Sequence, residues 1–193
     1  MKKRIISTLV ALVLMFTLVA CSTDNGGNNS GNNAGGDGSG AEGKTIGFVV
    51  STQTNPFFVS LKDGVEKKAA ELGFEVITID AQDDPAKATA GMEDLITKNV
   101  DVIIVNPTDS DAIVTAVESA NEANIPVLTV DRMSNGGEVV AHIASDNEAG
   151  GKQAGEFIIE QIGEGKKVVE LEGVPGANSA IERGKGFAEA IEG

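Results

Sequence analysis

The chain has 193 residues, 29 Asp and Glu against 15 Lys and Arg, one Cys, one His, and neither Trp nor Tyr. A formal charge of -14 leaves no net basic field to neutralise phosphates, which argues against a nucleic-acid partner. One Cys excludes an internal disulfide, and one Cys with one His cannot assemble a zinc site of the usual type, so neither a metal nor a cofactor is expected.

Lys2, Lys3 and Arg4 precede an apolar run over residues 5–20, shorter than the ~20 residues a spanning helix needs. This reads as a signal peptide over 1–20. The run ends in Leu18-Val19-Ala20-Cys21, which resembles the lipobox of bacterial lipoproteins, where the signal is cut before the Cys and its thiol carries a diacylglycerol. Cys21 is then the lipid attachment point; the alternative is an ordinary signal peptide or short anchor with an incidental Cys. Two acyl chains on one residue anchor stably where a single chain is marginal. Residues 22–43 hold 8 Gly and 5 Asn with no aliphatic side chain larger than Ala, so 21–43 is the lipidated Cys and a flexible tether with a reach of about 25–30 Å. Without the signal the chain carries a net -17, and anionic lipid heads would repel its surface. The anchor is expected to hold the body near the membrane without docking it there.

After Lys44 the pattern changes. Short β-rich runs fall at 46–50, 75–79, 102–105, 126–130, 139–144 and 168–171. A helix between the first two carries Phe58, Leu61, Val65, Ala69 and Leu72 on one stripe and closes at Gly73. The next opens with Asp84 as N-cap and Pro85 in the first turn and runs towards Leu95 and Ile96. A third begins near Asp109 and Ser110, with Ile113, Val117 and Ala120 on one face. A fourth, over 147–162, is expected to bury Ala154, Phe157 and Ile158. The first four strands begin 29, 27 and 24 residues apart, which suits a repeated βα unit. Continuous apolar runs such as VIIV imply burial on both faces, so the fold is α/β with a doubly wound parallel sheet.

In such sheets ligands bind beyond the carboxyl ends of the strands. None of the loops there carries GxGxxG, GxxxxGK[ST] or a Gly-x-Ser-x-Gly elbow, which disfavours dinucleotides, P-loop phosphates and that class of hydrolase. Asn106 and Ser51-Thr52 stand where a phosphorelay receiver would want acidic residues. The lone His142 lies inside a strand run and reads as structural. An enzyme is not expected.

A binding vocabulary remains. Asn55-Pro56-Phe57-Phe58 sits at the first strand-to-helix turn, with Asn55 suited to the cap and Pro56 to the first turn. Phe58 fits the core stripe and a ligand-facing role about equally, whereas Phe57 precedes the stripe and reads as a ligand-facing ring. A flat apolar face beside polar groups suits a sugar. Asp131 and Arg132 end the fourth strand; carboxylate and guanidinium together can read both polarities of a polyol, or they form a surface ion pair of ~0–1 kcal/mol.

The stretches VVSTQTNPFFVSLKDG (49–64), IIVNPTDSDAI (103–113), IPVLTVDR (125–132), GEVVAHIASDNEAGGKQAG (137–155) and ERGKGF (182–187) resemble, in order, the ribose-binding proteins of bacterial sugar ABC transporters. The similarity runs from about Lys44 to the end. It implies a type I, lac-repressor-like fold of two α/β lobes that close on a sugar about a hinge first crossed at Ser145-Asp146. The resemblance further implies that Asn55, Asp131 and Arg132 hydrogen-bond the sugar and that Phe57 and Phe58 stack on it. Arg183 in the ERG motif is assigned as a second-lobe sugar contact wholly by this resemblance. The expected organisation is a first lobe over 44–145 and the start of a second over 146–193. The second lobe is expected to be incomplete, because the family continues well past this point, so the chain is expected to be a piece of a longer protein. The expected function is extracytoplasmic capture of a monosaccharide, ribose first, by a lipid-anchored monomer that delivers it to an ABC permease. Another pentose, a hexose, a polyol, or a sugar-responsive signalling role are the alternatives.

Overall fold

The structure is a computed structural model and describes residues 43–192. The signal, Cys21 and nearly all of the tether lie outside the described residues. Five strands, β1 (Thr45–Val50), β2 (Glu75–Asp80), β3 (Val102–Val105), β4 (Val127–Val130) and β5 (Ala141–Ile143), form one sheet in the order β2-β1-β3-β4-β5. Every pairing is parallel; Gly47, for example, stands between Ile77 and Ile103. The order reverses direction at β1, with β2 laid on one side and β3 on the other, so the crevice of a doubly wound sheet opens above the ends of β1 and β3.

The helices follow from local sequence. In α1 (Pro56–Leu72), Asn55 is the N-cap, Pro56 opens the first turn, and Gly73 closes it at a φ of 83°, where a side chain would be strained. In α2 (Pro85–Thr97), Asp84 accepts from the N–H groups of Ala86 and Lys87, satisfying donors the helix cannot. The third helix, α3 (Val114–Glu122), starts later than the expected Asp109. Asp109 Oδ1 instead accepts from the N–H groups of Asp111 and Ala112 and closes a separate turn ahead of it. Ile113, Val117 and Ala120 are buried as the periodicity requires.

The sheet is covered unevenly. Val49, Ile103, Val105 and Val127 pack with Met92 and Leu95 of α2 and Ala116, Val117 and Ala120 of α3 into the larger core. On the opposite face Phe48, Val50 and Phe58 form a smaller buried cluster, with Leu61, Val65, Ile104 and Val130 partly covered around it, and Ile46 and Ala69 are buried nearby. Helices on both faces explain why β1 is apolar almost throughout.

Beyond the sheet come α4 (Asn147–Ile162), capped by Asp146, and α5 (Asn178–Ile191). Two expectations are corrected here. The 168–171 run is not a strand: residues 163–177 form neither helix nor strand, and Val169 and Leu171 are 89% and 92% exposed. A strand needs a neighbour for its N–H and C=O groups, and none pairs with this segment among the described residues. Nor does α4 bury Ala154 and Phe157. Both are exposed, Phe157 at 61%, and Ile158 is half-buried. The helix turns Gly151 and Gly155 to α5 instead, because the backbones touch: a Cβ on Gly151 would lie 2.0 Å from Arg183 O, and one on Gly186 would lie 1.9 Å from Glu148 O.

Candidate functional site

A cleft of about 500 Å³ opens at the carboxyl ends of the strands and is lined by Thr52, Thr54, Asn55, Pro56, Phe58, Asp83, Arg132 and Val174. This is within the size range of small-molecule sites. Seven of these residues come from the sheet region, and Val174 comes from the segment that leads into α5. The structure thus brings Asn55, Phe58 and Arg132 together. Phe57, Asp131 and Arg183 stand outside the lining.

Asn55 has extended backbone and its Oδ1 accepts from Phe57 N–H at 2.9 Å. The cap fixes the side chain, and its Nδ2 makes no bond among the described residues. The two phenylalanines divide as the helix stripe suggests. Phe58 is 4% exposed and belongs to the smaller core, while Phe57 is 55% exposed and meets Phe58 edge-on, with ring centroids 5.3 Å apart. Phe58 is therefore both core residue and cleft wall.

Arg132 is the unusual group. It is only 8% exposed, its guanidinium lies 5.0 Å above the Phe58 ring, and one Nη donates to Pro107 O at 3.3 Å. Its Nε is buried without a hydrogen-bond partner, since Asp131 Oδ2 stands 3.9 Å away. Burial pushes the guanidinium below its usual pKa; Asp131 and Asp83 oppose that shift, and the positive charge of Arg183 adds to it. Arg183, exposed on α5, does not line the cleft.

Asp131 has a left-handed backbone, φ 62°, directly after β4. Gln82 and Asp83 share that conformation after β2. Side-chain-bearing residues held there are strained by roughly 1–3 kcal/mol and cluster at functional sites. Asp83 is the carboxylate that sequence reasoning left out; it lies in the loop after β2, but its positive φ and place in the cleft depend on the fold.

Asn106 was also missed as a supporting residue. It is fully buried at the end of β3, accepts from Ser51 N–H at 3.2 Å and from Ser51 Oγ–H at 2.6 Å, and donates through Nδ2 to Val130 O at 3.0 Å. One amide thus clamps the ends of β1 and β4, the strands that lead to Asn55 and to Asp131-Arg132. The signal available in sequence was a polar residue closing a wholly apolar run. His142 is placed on β5, with Nδ1 2.8 Å from Thr129 Oγ1, a cross-strand contact away from the cleft lining.

Another cavity, about 480 Å³, lies on the less covered sheet face against Leu61, Val65, Leu72, Phe74 and Ile104. Its lining is mostly apolar, with Ser60 and Lys68 as the polar side chains and no carboxylate to accept from hydroxyls. No cluster of metal-ligating side chains occurs among the described residues, and no described helix is long and apolar enough to cross a membrane.

The chemistry of the cleft is consistent: an aromatic wall, carboxylate and hydroxyl acceptors, and a buried cationic donor. Residues 46–193 match the periplasmic binding protein domain. The ribose import binding protein of Escherichia coli K12 is 54% identical over 147 residues, covering 76% of this chain and 50% of the relative. That of Bacillus subtilis 168 is 49% identical, covering 96% and 59%. The crystal structure of a Caulobacter myo-inositol binding protein bound to myo-inositol superposes with a TM-score of 0.74 at 32% identity, covering 79% of this chain and 52% of that one. The chain spans about half the length of most of the relatives it matches. With three quarters of its length inside the matched domain, the chain belongs to the periplasmic binding protein domain family.

Proposed function

We propose that this chain supplies part of a sugar-capture site, for ribose first, in an extracytoplasmic import binding protein that works with an ABC permease. The observation that carries the reading is Arg132: a buried guanidinium with an unpartnered Nε at the edge of a polar cleft. An unpaired buried donor of this kind is unfavourable by about 1–3 kcal/mol, more when charged, and a ligand oxygen would relieve it. Phe58 offers an apolar face for the C–H side of a pyranose or furanose, Asn55 Nδ2 offers donors, and Asp83 and Asp131 offer acceptors for hydroxyls. Phe57 would add an exposed ring at the mouth, and Arg183 a second cation from across the cleft. The names of the relatives at 54% and 49% identity support ribose among the sugars.

No catalytic step follows from this arrangement: binding is the whole act. We assign Cys21 as the lipid attachment that keeps the protein at the outer face of a membrane, and the monomer as its working form. Calorimetric titration with ribose, arabinose, glucose and myo-inositol tests the reading. Ribose is expected to release the most heat and bind the tightest, and a preference for any other sugar would transfer the assignment to it.

A further inference from the structure

Four hydrogen bonds cross from the sheet region to the start of α5. Ser110 N–H donates to Gly176 O at 2.9 Å, Asn178 N–H to Ser110 Oγ at 3.2 Å, Ser110 Oγ–H to Asn178 Oδ1 at 3.4 Å, and Met133 N–H to the same Oδ1 at 2.8 Å. Ser110 and Asn178 are both buried. The other half of the amide is used as well: Asn178 Nδ2 donates to Glu182 Oε1 at 3.1 Å, and Glu182 Oε2 accepts from Asn147 Nδ2 at 3.2 Å. Glycine is required at the approach, because a Cβ on Gly176 would stand 1.9 Å from Asp109 Oδ2.

One side chain therefore joins three places: the loop directly after Asp131-Arg132, the first turn of α5, and, through Glu182, the first turn of α4. We propose that Asn178 is a positioning residue that registers α5, and with it Arg183, against the Asp131–Met133 loop, so that both sides of the cleft are presented together. The clause about sugar rests on the ribose reading above; the register of α5 does not. The physical need is visible in the charges. The exposed Arg183 adds positive charge to the field at the buried Arg132, and like charges repel. The buried hydrogen bonds of Asn178 hold α5 in place against that repulsion. Asn suits this position because the loop presents a donor and Glu182 an acceptor, and a single amide answers both. Aspartate would keep the acceptor for Met133 but set an oxygen against the Glu182 carboxylate. Leucine would keep the volume and lose all three side-chain bonds.

The test compares the full chain with N178L and N178D, reading single-amide hydrogen exchange by NMR and ribose release by stopped flow. In N178L the Met133 amide is expected to exchange about tenfold faster, the effect of one lost buried bond of ~1.4 kcal/mol. The Asn106 amide, which donates to Val49 O, is the internal reference and stays unchanged. Ribose release accelerates by a similar factor at unaltered association rate, and N178D retains Met133 protection. Should N178L not fold, Ser110→Ala removes the Oγ shared by two of the four bonds and is expected to raise Met133 exchange about threefold. Met133 exchange equal to wild type overturns the proposal. Faster exchange with unchanged ribose release also overturns it, leaving Asn178 a structural contact. A wild-type chain silent to ribose, with Met133 released in N178L, sinks the ribose reading and supports the register of α5.

Discussion

Residues 45–143 bury many branched and aromatic side chains on both faces of a sheet, whereas residues 147–191 bury one large apolar side chain, Phe187, and otherwise glycines, Ala177 and the polar Asn147, Asn178 and Ser179. Val49, Ile103, Leu95 and Val117 are fully enclosed between sheet and helices. The contact between α4 and α5 is instead made by Gly151, Gly155 and Gly186 at backbone distance, with an exposed Lys185–Glu148 pair at its rim. Phe157, Ile162 and Ile181 remain exposed on those two helices. Large enclosed side chains stabilise through area removed from water, roughly 25 cal/mol per Å². Glycine contacts remove little area and depend on exact approach. The sheet region is therefore expected to hold the global stability, and the helical pair to open at lower free energy.

Substitutions in the two regions sharpen that contrast. Leu95→Ala deletes a fully buried side chain against β1, with an expected loss of about 2–5 kcal/mol read as a fall in the denaturant midpoint for the whole fold. Gly186→Ala drives a methyl into Glu148 O and is expected to cost about 1–3 kcal/mol. Its signature is regional: amides of α4 and α5 lose protection while those of β1 and β3 keep it, and equal loss in both would abolish the distinction. Asp146→Ala removes the acceptor for Ala149 N–H at 2.9 Å, worth about 1 kcal/mol, and amide exchange at the start of α4 reports it.

The smallest expected effect lies on α1. Glu66 is held below the usual carboxylate range by the Thr78 hydroxyl first and by Lys62 second. A folded-state pKa below the unfolded value of about 4.3 means that Glu66 contributes stability above that value and loses it as pH falls through the folded pKa. Glu66→Gln should therefore flatten the acid limb of the stability curve slightly and leave neutral stability almost unchanged, since the group is largely solvent-accessible and screened. Urea midpoints between pH 3 and 7 measure this.

Much of the sheet region was readable because its signals are local. Asp84-Pro85 marks a helix start whatever surrounds it, Gly73 marks an end, and VIIV announces burial on two faces. The misreadings share one cause. The 168–171 run has strand composition, but a strand exists only with a neighbour; Ala154 and Phe157 form an apolar face, but glycines on the other side of α4 determined the packing. The later start of α3 reflects the Asp109 side chain, which closes its own turn over Asp111 and Ala112 instead of capping the helix. In the cleft, Asn55, Phe58 and Arg132 could be selected by their position after strands. Asp83 and Asn106 could not, because one is defined by a left-handed backbone and the other by complete burial of a polar amide between three strands.

The central claim is that the buried, partly unpartnered Arg132 is a sugar donor. Calorimetric titration of ribose into wild type and Arg132→Met, which keeps an unbranched apolar stem over Phe58, tests it directly. The account predicts measurable heat with wild type, at least a hundredfold weaker binding in the variant, the loss expected for charge-assisted bonds at a desolvated site, and folding stability equal to or above wild type because an unsatisfied buried charge is gone. Ribose binding of equal strength in the two proteins would contradict it.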